Sequence, residues 1–173
     1  VHQFCEPVVT GLRFEGASAA VLLPSISAAL ADPDLTAVIL CPSNPFLSLD
    51  PILATADLRC RLQDCVAPVV AVSPMIGSKA FKGPTAKIMQ ELGHAPSTLS
   101  VAHYYADILD GYVIDGTDAK ISDDIEKIGI KIKTAGTLMD SLDQKQRLAA
   151  DVVAFSETIG RECSRSRMGN QNV

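Results

Sequence analysis

Four short runs of apolar residues recur along the chain, and stretches with helical periodicity separate them. The runs cover residues 35–41, 68–73, 111–115 and 130–134. The first two contain almost no polar residue, which is typical of strands buried on both faces of a parallel sheet. The intervening segments are long enough for right-handed helical crossovers. The pattern predicts an α/β fold with a doubly wound, mostly parallel, Rossmann-like sheet.

Helical periodicity and residues typical of helix ends predict further elements in the rest of the chain. Helices are predicted at 24–31, 84–92, 97–109, 121–128 and 141–159, and a first strand at 8–14. The end of the chain is polar, so we predict a domain over residues 1–160 and a frayed tail over 161–173. The chain starts Val1-His2-Gln3 without Met. We therefore expect the C-terminal portion of a larger domain, with the N-terminal part missing.

Charge and composition exclude several classes of partner. The 173 residues carry 15 Lys+Arg against 20 Asp+Glu, a net charge of -5, and 5% aromatic residues without Trp. No basic stripe is present, so we expect no nucleic-acid partner. No apolar run approaches the roughly 20 residues that cross a bilayer, so we expect no membrane partner. The five Cys form no Cys-x-x-Cys pair, which indicates reduced thiols in a cytoplasmic protein and no zinc site.

The loop after the first apolar run carries candidate binding residues. In parallel α/β folds, ligands bind outside the carboxyl ends of the strands. The candidates here are Pro42, Ser43, Asn44, Pro45 and Ser48. The prolines restrain the backbone, and the polar side chains and a following helix could donate hydrogen bonds to phosphate. The pattern by itself favours a simpler interpretation, a turn with a helix N-cap.

The loop after the second apolar run carries cations. Its candidates are Ser73, Gly77, Lys79, Lys82 and Gly83. The glycines permit a close approach of backbone to a ligand, and the lysines could neutralise a diphosphate. We take Lys82 as the dominant charge. The spacing does not match a Walker A loop, and a solvated basic loop is the alternative.

Three further residues could carry chemistry, each with a plainer alternative. Asp115 ends a strand, where it could bind a hydroxyl or a metal or cap the next helix. His103 could be a base, although a lone helical His is more often structural. Cys41 has no activating partner nearby, which favours a small buried thiol. No residue is predicted to be catalytic by itself.

The motifs at 41–53, 71–84, 103–104 and 111–115 resemble the 2-phospho-L-lactate transferase family. The resemblance runs from about Val8 to Phe155, in order and with matching spacing. It implies a biosynthetic enzyme of coenzyme F(420). A guanosine-diphosphate-activated donor would transfer a phospholactyl or phosphoenolpyruvyl group to the deazaflavin Fo and release GMP. The alternative is a regulatory protein of the same superfamily that binds a nucleotide or nucleotide sugar without this reaction.

The resemblance also implies Mg²⁺, with ligands expected in the missing N-terminal part. For the assembly, we expect a homodimer. Phosphoryl transfer depends on positioning and charge neutralisation, so no protein nucleophile is needed. One departure is Asp50, which stands where the family usually has Gly. A carboxylate beside a diphosphate would repel it unless the side chain points away or meets the metal, and a fragment could be inactive alone.

Overall fold

The computed structural model describes residues 6–77, 79–80 and 84–169, with backbone alone at 79–80 and 162–169. Its strands are β1 (Val38–Leu40), β2 (Val69–Val72), β3 (Met75–Ile76), β4 (Lys79–Ala80), β5 (Gly111–Asp115) and β6 (Lys131–Ala135). One sheet contains β1, β2, β5 and β6 in that order, and every neighbouring pair is parallel. The predicted parallel α/β sheet is therefore confirmed.

Helices connect these strands. They are α1 (Pro24–Ala31), α2 (Asp50–Leu53), α3 (Leu58–Gln63), α4 (Thr85–Glu91), α5 (Thr98–Tyr104), α6 (Ser122–Glu126) and α7 (Leu142–Gly169). Short 3-10 turns lie at Ala17–Ala19 and Gly116–Ile121, and a π-helical turn at Pro45–Leu49 leads into α2. The backbone of 161–169 continues α7, and the division of the chain at residue 160 stays a prediction. None of the helices in the described ranges is both long enough and apolar enough to cross a membrane.

The sheet separates two apolar cores, which explains why its central strands are so hydrophobic. Every residue of β2 and β5 is buried, whereas β1 and β6 are partly exposed at the edges. Helices α3 to α6 pack on one face, and α7 packs on the other. Gly111 lets α7 pack closely on β5, because a Cβ there would lie 2.5 Å from Cδ1 of Ile159 and 2.9 Å from Cε1 of Phe155, and these side chains would have to move.

The strand predicted at 8–14 is wrong, because this segment has no regular structure. The backbone N–H of Val9 donates to Oε2 of Glu91 at 3.0 Å, and Nζ of Lys87 donates to the carbonyl of Pro7. The segment therefore lies along α4. Its β-branched residues fit a strand pattern, but none of the described strands pairs with them, and the side chain of Glu91 accepts the backbone N–H of Val9 instead.

The segment after β2 is more ordered than the predicted loop. Strands β3 and β4 pair antiparallel and form a small hairpin. Gly77 lies in its turn at a φ of 58°, a left-handed conformation that glycine adopts without steric cost. The helix predicted at 97–109 ends at Tyr104, and further turns continue to residue 108.

Candidate functional site

A cavity of about 350 Å³ opens at the carboxyl edge of the parallel sheet. The segments that follow β1, β2 and β6 bound it, together with the first turns of α4 and α7. Its lining residues are Pro42, Ser43, Asn44, Ser73, Pro74, Ile76, Thr85, Thr137, Met139 and Lys145. We call this the carboxyl-edge cavity. It lies where ligands bind in open α/β sheets.

The lining of this cavity mixes apolar side chains with neutral hydrogen-bonding groups, and it carries one type of charge. It contains Lys145 and no carboxylate. Lys145 lies in the first turn of α7 and is exposed, and its Nζ has no hydrogen-bond or ion-pair partner within the described part of the chain. In a protein with a net charge of -5, an unpaired cation beside neutral donors favours an anionic ligand.

A second cavity, of about 450 Å³, lies at the opposite edge of the sheet. Leu35 and Ala67, which precede β1 and β2, are part of its wall. Its cation, Arg61, is already paired with Asp57 at 2.9 Å. None of the residues predicted to bind ligand lines this cavity. The chemistry of the lining, rather than volume, therefore identifies the carboxyl-edge cavity as the candidate site.

Asn44 organises the first loop. Its Oδ1 accepts hydrogen bonds from the backbone N–H groups of Phe46 and Leu47, both at 3.0 Å, and its Nδ2 donates to Oγ1 of Thr85 at 3.0 Å. The side chain is thus a helix cap, as the simpler interpretation predicted, and it also joins two walls of the cavity. Pro45 is buried and Ser48 is exposed, and neither lines the cavity.

The second loop is anchored from beneath by a buried carboxylate. Ser73 is buried and exchanges two hydrogen bonds with the backbone of Met75. Oδ2 of Asp118 accepts the N–H of Gly77 at 3.0 Å and the hydroxyl of Thr98 at 2.8 Å. These contacts hold the hairpin against the sheet. Gly77 itself does not line the cavity.

The lysines of this loop remain predictions. The side chain of Lys79 is not described, and Lys82 and Gly83 lie outside the described residues. The dominant charge predicted at Lys82 is therefore untested, as is a role for Lys79.

Asp115 is buried beneath the cavity wall. Its Oδ1 accepts the N–H and hydroxyl of Thr117, both at 2.9 Å, and its Oδ2 accepts the N–H and hydroxyl of Thr137, both at 3.2 Å. Burial by itself would raise the pKa of this carboxyl, but the four hydrogen bonds outweigh it and leave the pKa below its ordinary value. The ionised carboxylate therefore holds Thr137 in the cavity wall, and its predicted contact with a ligand stays a prediction.

Asp50 points away from the cavity into a group of aromatic side chains. Its Oδ2 accepts the hydroxyl of Tyr104 at 2.6 Å, and its Oδ1 accepts the hydroxyl of Tyr105 at 3.2 Å. The Tyr105 hydroxyl is also 3.2 Å from the carbonyl oxygen of Pro45. Burial and the carboxylate raise the pKa of Tyr104 to about 12 and raise the pKa of Tyr105 as well. Asp50 therefore does not face a ligand in the cavity.

Charges around these tyrosines are paired. Nε and Nη2 of Arg59 bond the carboxylate of Asp107 at 2.8 and 2.6 Å, and Nη2 also donates to the carbonyl of Tyr104. The hydrogen bond with Asp107 raises the pKa of Arg59. The guanidinium lies 5.8 Å from the ring centre of Tyr105. We call Asp50, Arg59, Tyr104, Tyr105 and Asp107 the tyrosine cluster.

The other candidates have no partners that indicate chemistry. His103 is exposed on α5, and its side chain forms no hydrogen bond, ion pair or ring contact with another described residue. Cys41 is exposed as a free thiol rather than buried as predicted.

The described residues do not fit a resident Mg²⁺. Among them, no group of three or more His, Cys, Asp or Glu side chains could hold a metal ion. The carboxylates of Asp50, Asp115 and Asp118 are each engaged by hydroxyl or N–H donors. We therefore derive no chemical step through the metal.

Sequence comparisons relate the chain to proteins that are named as transferases. The family described as 2-phospho-L-lactate transferase CofD matches residues 1–155. The chain is 38% identical to the 2-phospho-L-lactate transferase of Methanosarcina barkeri over 154 residues, 89% of the chain and 48% of that protein. It is 37% identical to the enzyme of that name from Methanothermobacter thermautotrophicus, over 86% of the chain and 46% of that protein.

A bacterial relative carries a different name. The phosphoenolpyruvate transferase of Streptomyces avermitilis is 31% identical over 145 residues, 83% of the chain and 45% of that protein. The chain spans about half the length of the curated relatives that it matches.

Proposed function

Because this chain belongs to the 2-phospho-L-lactate transferase family, we propose that the protein carrying it transfers a phospholactyl or phosphoenolpyruvyl group to the deazaflavin Fo. The donor is guanosine-diphosphate-activated, and GMP is released. The oxygen of an Fo hydroxyl attacks the phosphorus that bears the lactyl or enolpyruvyl unit. The bond from that phosphorus to GMP breaks, and the hydroxyl loses its proton. The family supports the transferase class and coenzyme F(420) biosynthesis, and the donor, acceptor and product are our proposal.

The carboxyl-edge cavity is the observation that carries this proposal. Catalysis of phosphoryl transfer depends on holding phosphates in place and neutralising their charge, without a protein nucleophile. The cavity offers hydroxyl donors and a lysine, and its lining contains no carboxylate that would repel the donor. The carboxylate of Asp50 bonds Tyr104 and Tyr105 instead of pointing into the cavity, so it is not expected to repel the diphosphate of the donor.

Further parts of the proposal extend beyond the described residues. We propose Mg²⁺ as a cofactor with ligands outside this chain, and a cytoplasmic location. A homodimer is our proposal for the assembly. The lysines at 79 and 82 and the glycine at 83 are proposed donor-binding residues on the strength of the sequence motif.

The test is a transfer assay on the full-length natural protein with Fo, Mg²⁺ and each of the two guanosine-diphosphate-activated donors. Mass spectrometry should detect the phospholactyl or phosphoenolpyruvyl adduct of Fo together with GMP. Ser43→Ala should lower kcat/KM about two- to tenfold, since a neutral hydrogen bond contributes roughly 0.5–1.5 kcal/mol. Ser25→Ala, on the exposed face of α1, is the matched control and should not change kcat/KM.

The alternative predicts a different pattern. A nucleotide-binding regulator would bind guanosine diphosphate but form no adduct with either donor, and that outcome would reject the transferase.

A further inference from the structure

We propose that Lys145 is the cation that binds a phosphate-class oxyanion of the donor in the carboxyl-edge cavity, together with the hydroxyls of Ser43 and Thr85. The identity of the donor rests on the proposed function, but the anion site rests on the cavity itself. The residues come from the start of α7, the loop after β1 and the start of α4, which are distant in sequence and meet at this edge of the sheet.

Lys145 combines two features: it is the cation among the described lining residues of the cavity, and it has no carboxylate partner in the described ranges, whereas several other cations are paired. Arg147, on the same helix, is neutralised by Asp143 at 2.8 Å. Lys87 and Arg59 pair with carboxylates as well. The ammonium of Lys145 has no such partner in the described ranges, and it borders a cavity. A ligand carboxylate or phosphate there would supply the negative charge that the protein does not.

The two hydroxyls are free to donate. No described residue forms a hydrogen bond with the side chain of Ser43. Thr85 Oγ1 accepts a hydrogen bond from Asn44, so its own proton remains available. Thr137 differs, because it donates both its hydroxyl and its N–H to Asp115. The cavity therefore offers two hydroxyl donors and an ammonium, a set that suits an anion with several oxygens.

The size of the cavity limits what it holds. At about 350 Å³ it lies at the small end of ligand pockets. A cavity of this volume accommodates a charged group such as a diphosphate or a phosphoryl group. The anion could be the diphosphate of the guanine nucleotide or the phosphoryl group on the lactyl unit, and separate probes distinguish these two sources.

The experiment compares the full-length protein with Lys145→Met, Lys145→Arg and the control Lys133→Met. Lys133 is exposed, carries the same charge and lies outside the cavity lining. Binding of inorganic pyrophosphate, guanosine diphosphate and 2-phospho-L-lactate is measured by calorimetry. Lys145→Met should weaken at least one probe about tenfold or more. Lys145→Arg should retain most of the affinity, and Lys133→Met should match the parent.

The pattern across probes locates the anion. Weaker binding of guanosine diphosphate and pyrophosphate places Lys145 at the diphosphate, and weaker binding of 2-phospho-L-lactate alone places it at the phospholactyl end. The loss should shrink at high ionic strength, because salt screens an exposed charge. If Lys145→Met binds all three probes like the parent, or if Lys133→Met is equally weakened, the proposal is wrong.

Failure of this inference is separable from failure of the proposed function. A parent protein that forms the Fo adduct, with an unchanged KM for the donor in Lys145→Met, would retain the transferase and reject the role of Lys145. A parent protein that forms no adduct but binds pyrophosphate through Lys145 would reject the transferase and retain the role of Lys145.

Discussion

The loop that follows β1 borders two regions that differ in whether their charged side chains are paired. On one side, Ser43 and Asn44 line the carboxyl-edge cavity, where Lys145 has no carboxylate partner among the described residues. On the other side, the tyrosine cluster pairs its carboxylates with hydroxyls and a guanidinium. A half-buried charge is stable when protein donors satisfy it, and a charge left beside an open cavity is available for a ligand.

The two regions also differ in packing, because aromatic rings pack closely around the tyrosine cluster. Four ring pairs have centres 5.0 to 5.7 Å apart, in edge-on or stacked arrangements: Phe46–His94, Phe46–Tyr104, His94–Tyr104 and Tyr104–Tyr105. Such pairs add to the stability of buried aromatic residues. These ring contacts and the tyrosine cluster therefore hold the loop after β1 against α5. Ser43 and Asn44 of the same loop line the carboxyl-edge cavity. We infer that the cluster stabilises the fold and that the cavity binds the ligand.

The largest expected effect comes from Asp115, which holds the cavity wall. Asp115→Ala should lower the free energy of unfolding by about 3 kcal/mol, since hydrogen bonds to a charged group contribute roughly 1.5–3 kcal/mol each and two buried donors of Thr137 lose their acceptor. Urea denaturation measures the loss. The exposed Asp124 provides the control, and Asp124→Ala should stay within about 0.5 kcal/mol. A loss below about 1 kcal/mol for Asp115→Ala would show that the wall does not depend on this carboxylate.

The tyrosine cluster should respond next. Asp50→Ala should cost about 2 kcal/mol of unfolding free energy, because the hydroxyl of Tyr104 loses its acceptor while that of Tyr105 keeps the carbonyl of Pro45. Urea denaturation is again the measurement. Asp34→Ala, at an exposed carboxylate, should have almost no effect. If Asp50→Ala is as stable as the parent, the tyrosine cluster does not stabilise the fold, and its proposed difference from the cavity is wrong.

Alkaline pH should weaken the cluster. The pKa of Tyr104 is raised from 10.0 to about 12, so the folded protein holds this proton more tightly than the unfolded chain does. Its contribution to stability is present below pH 10.0 and is lost as the pH rises to about 12. Unfolding free energies measured across this range should decline less steeply in Tyr104→Phe. An identical slope in the parent and the variant would contradict this assignment.

The smallest effect on stability should come from Lys145. Lys145→Met should leave the unfolding free energy within about 0.5 kcal/mol of the parent, because the exposed ammonium bonds no described residue. Thermal or urea denaturation without ligand is the measurement, with Lys133→Met beside it. A loss above about 1 kcal/mol would give Lys145 a role in the fold and would weaken the contrast with the tyrosine cluster.

Local patterns predicted most of the architecture. The strand at 111–115 and the helix at 24–31 match the structure at both ends, because apolar runs and the flanking proline and aspartate are local signals. The strand at 8–14 failed because strand formation also needs a partner. The hairpin after β2 was missed because its strands have two residues each.

The site was predictable in part. The rule that ligands bind at the carboxyl ends of parallel strands pointed to Pro42, Ser43, Asn44 and Ser73, and the structure brings all four to one cavity. Thr85 was within reach of sequence reasoning, since it follows the second loop directly. Their contacts with a ligand stay predictions. Lys145 and Thr137 carried no motif, and the sequence analysis did not predict a role for either residue.

The amino-acid sequence alone determined the strand and helix pattern, the parallel sheet and the family, because periodicity and motif spacing are properties of neighbouring residues. Only the tertiary structure decided which charges are satisfied. Asp50 meets the hydroxyl of Tyr104 across 54 positions of sequence, whereas Lys145 meets no carboxylate in the described part of the chain. Electrostatic pairing depends on distances of a few ångströms between segments that folding brings together, and no local pattern encodes those distances.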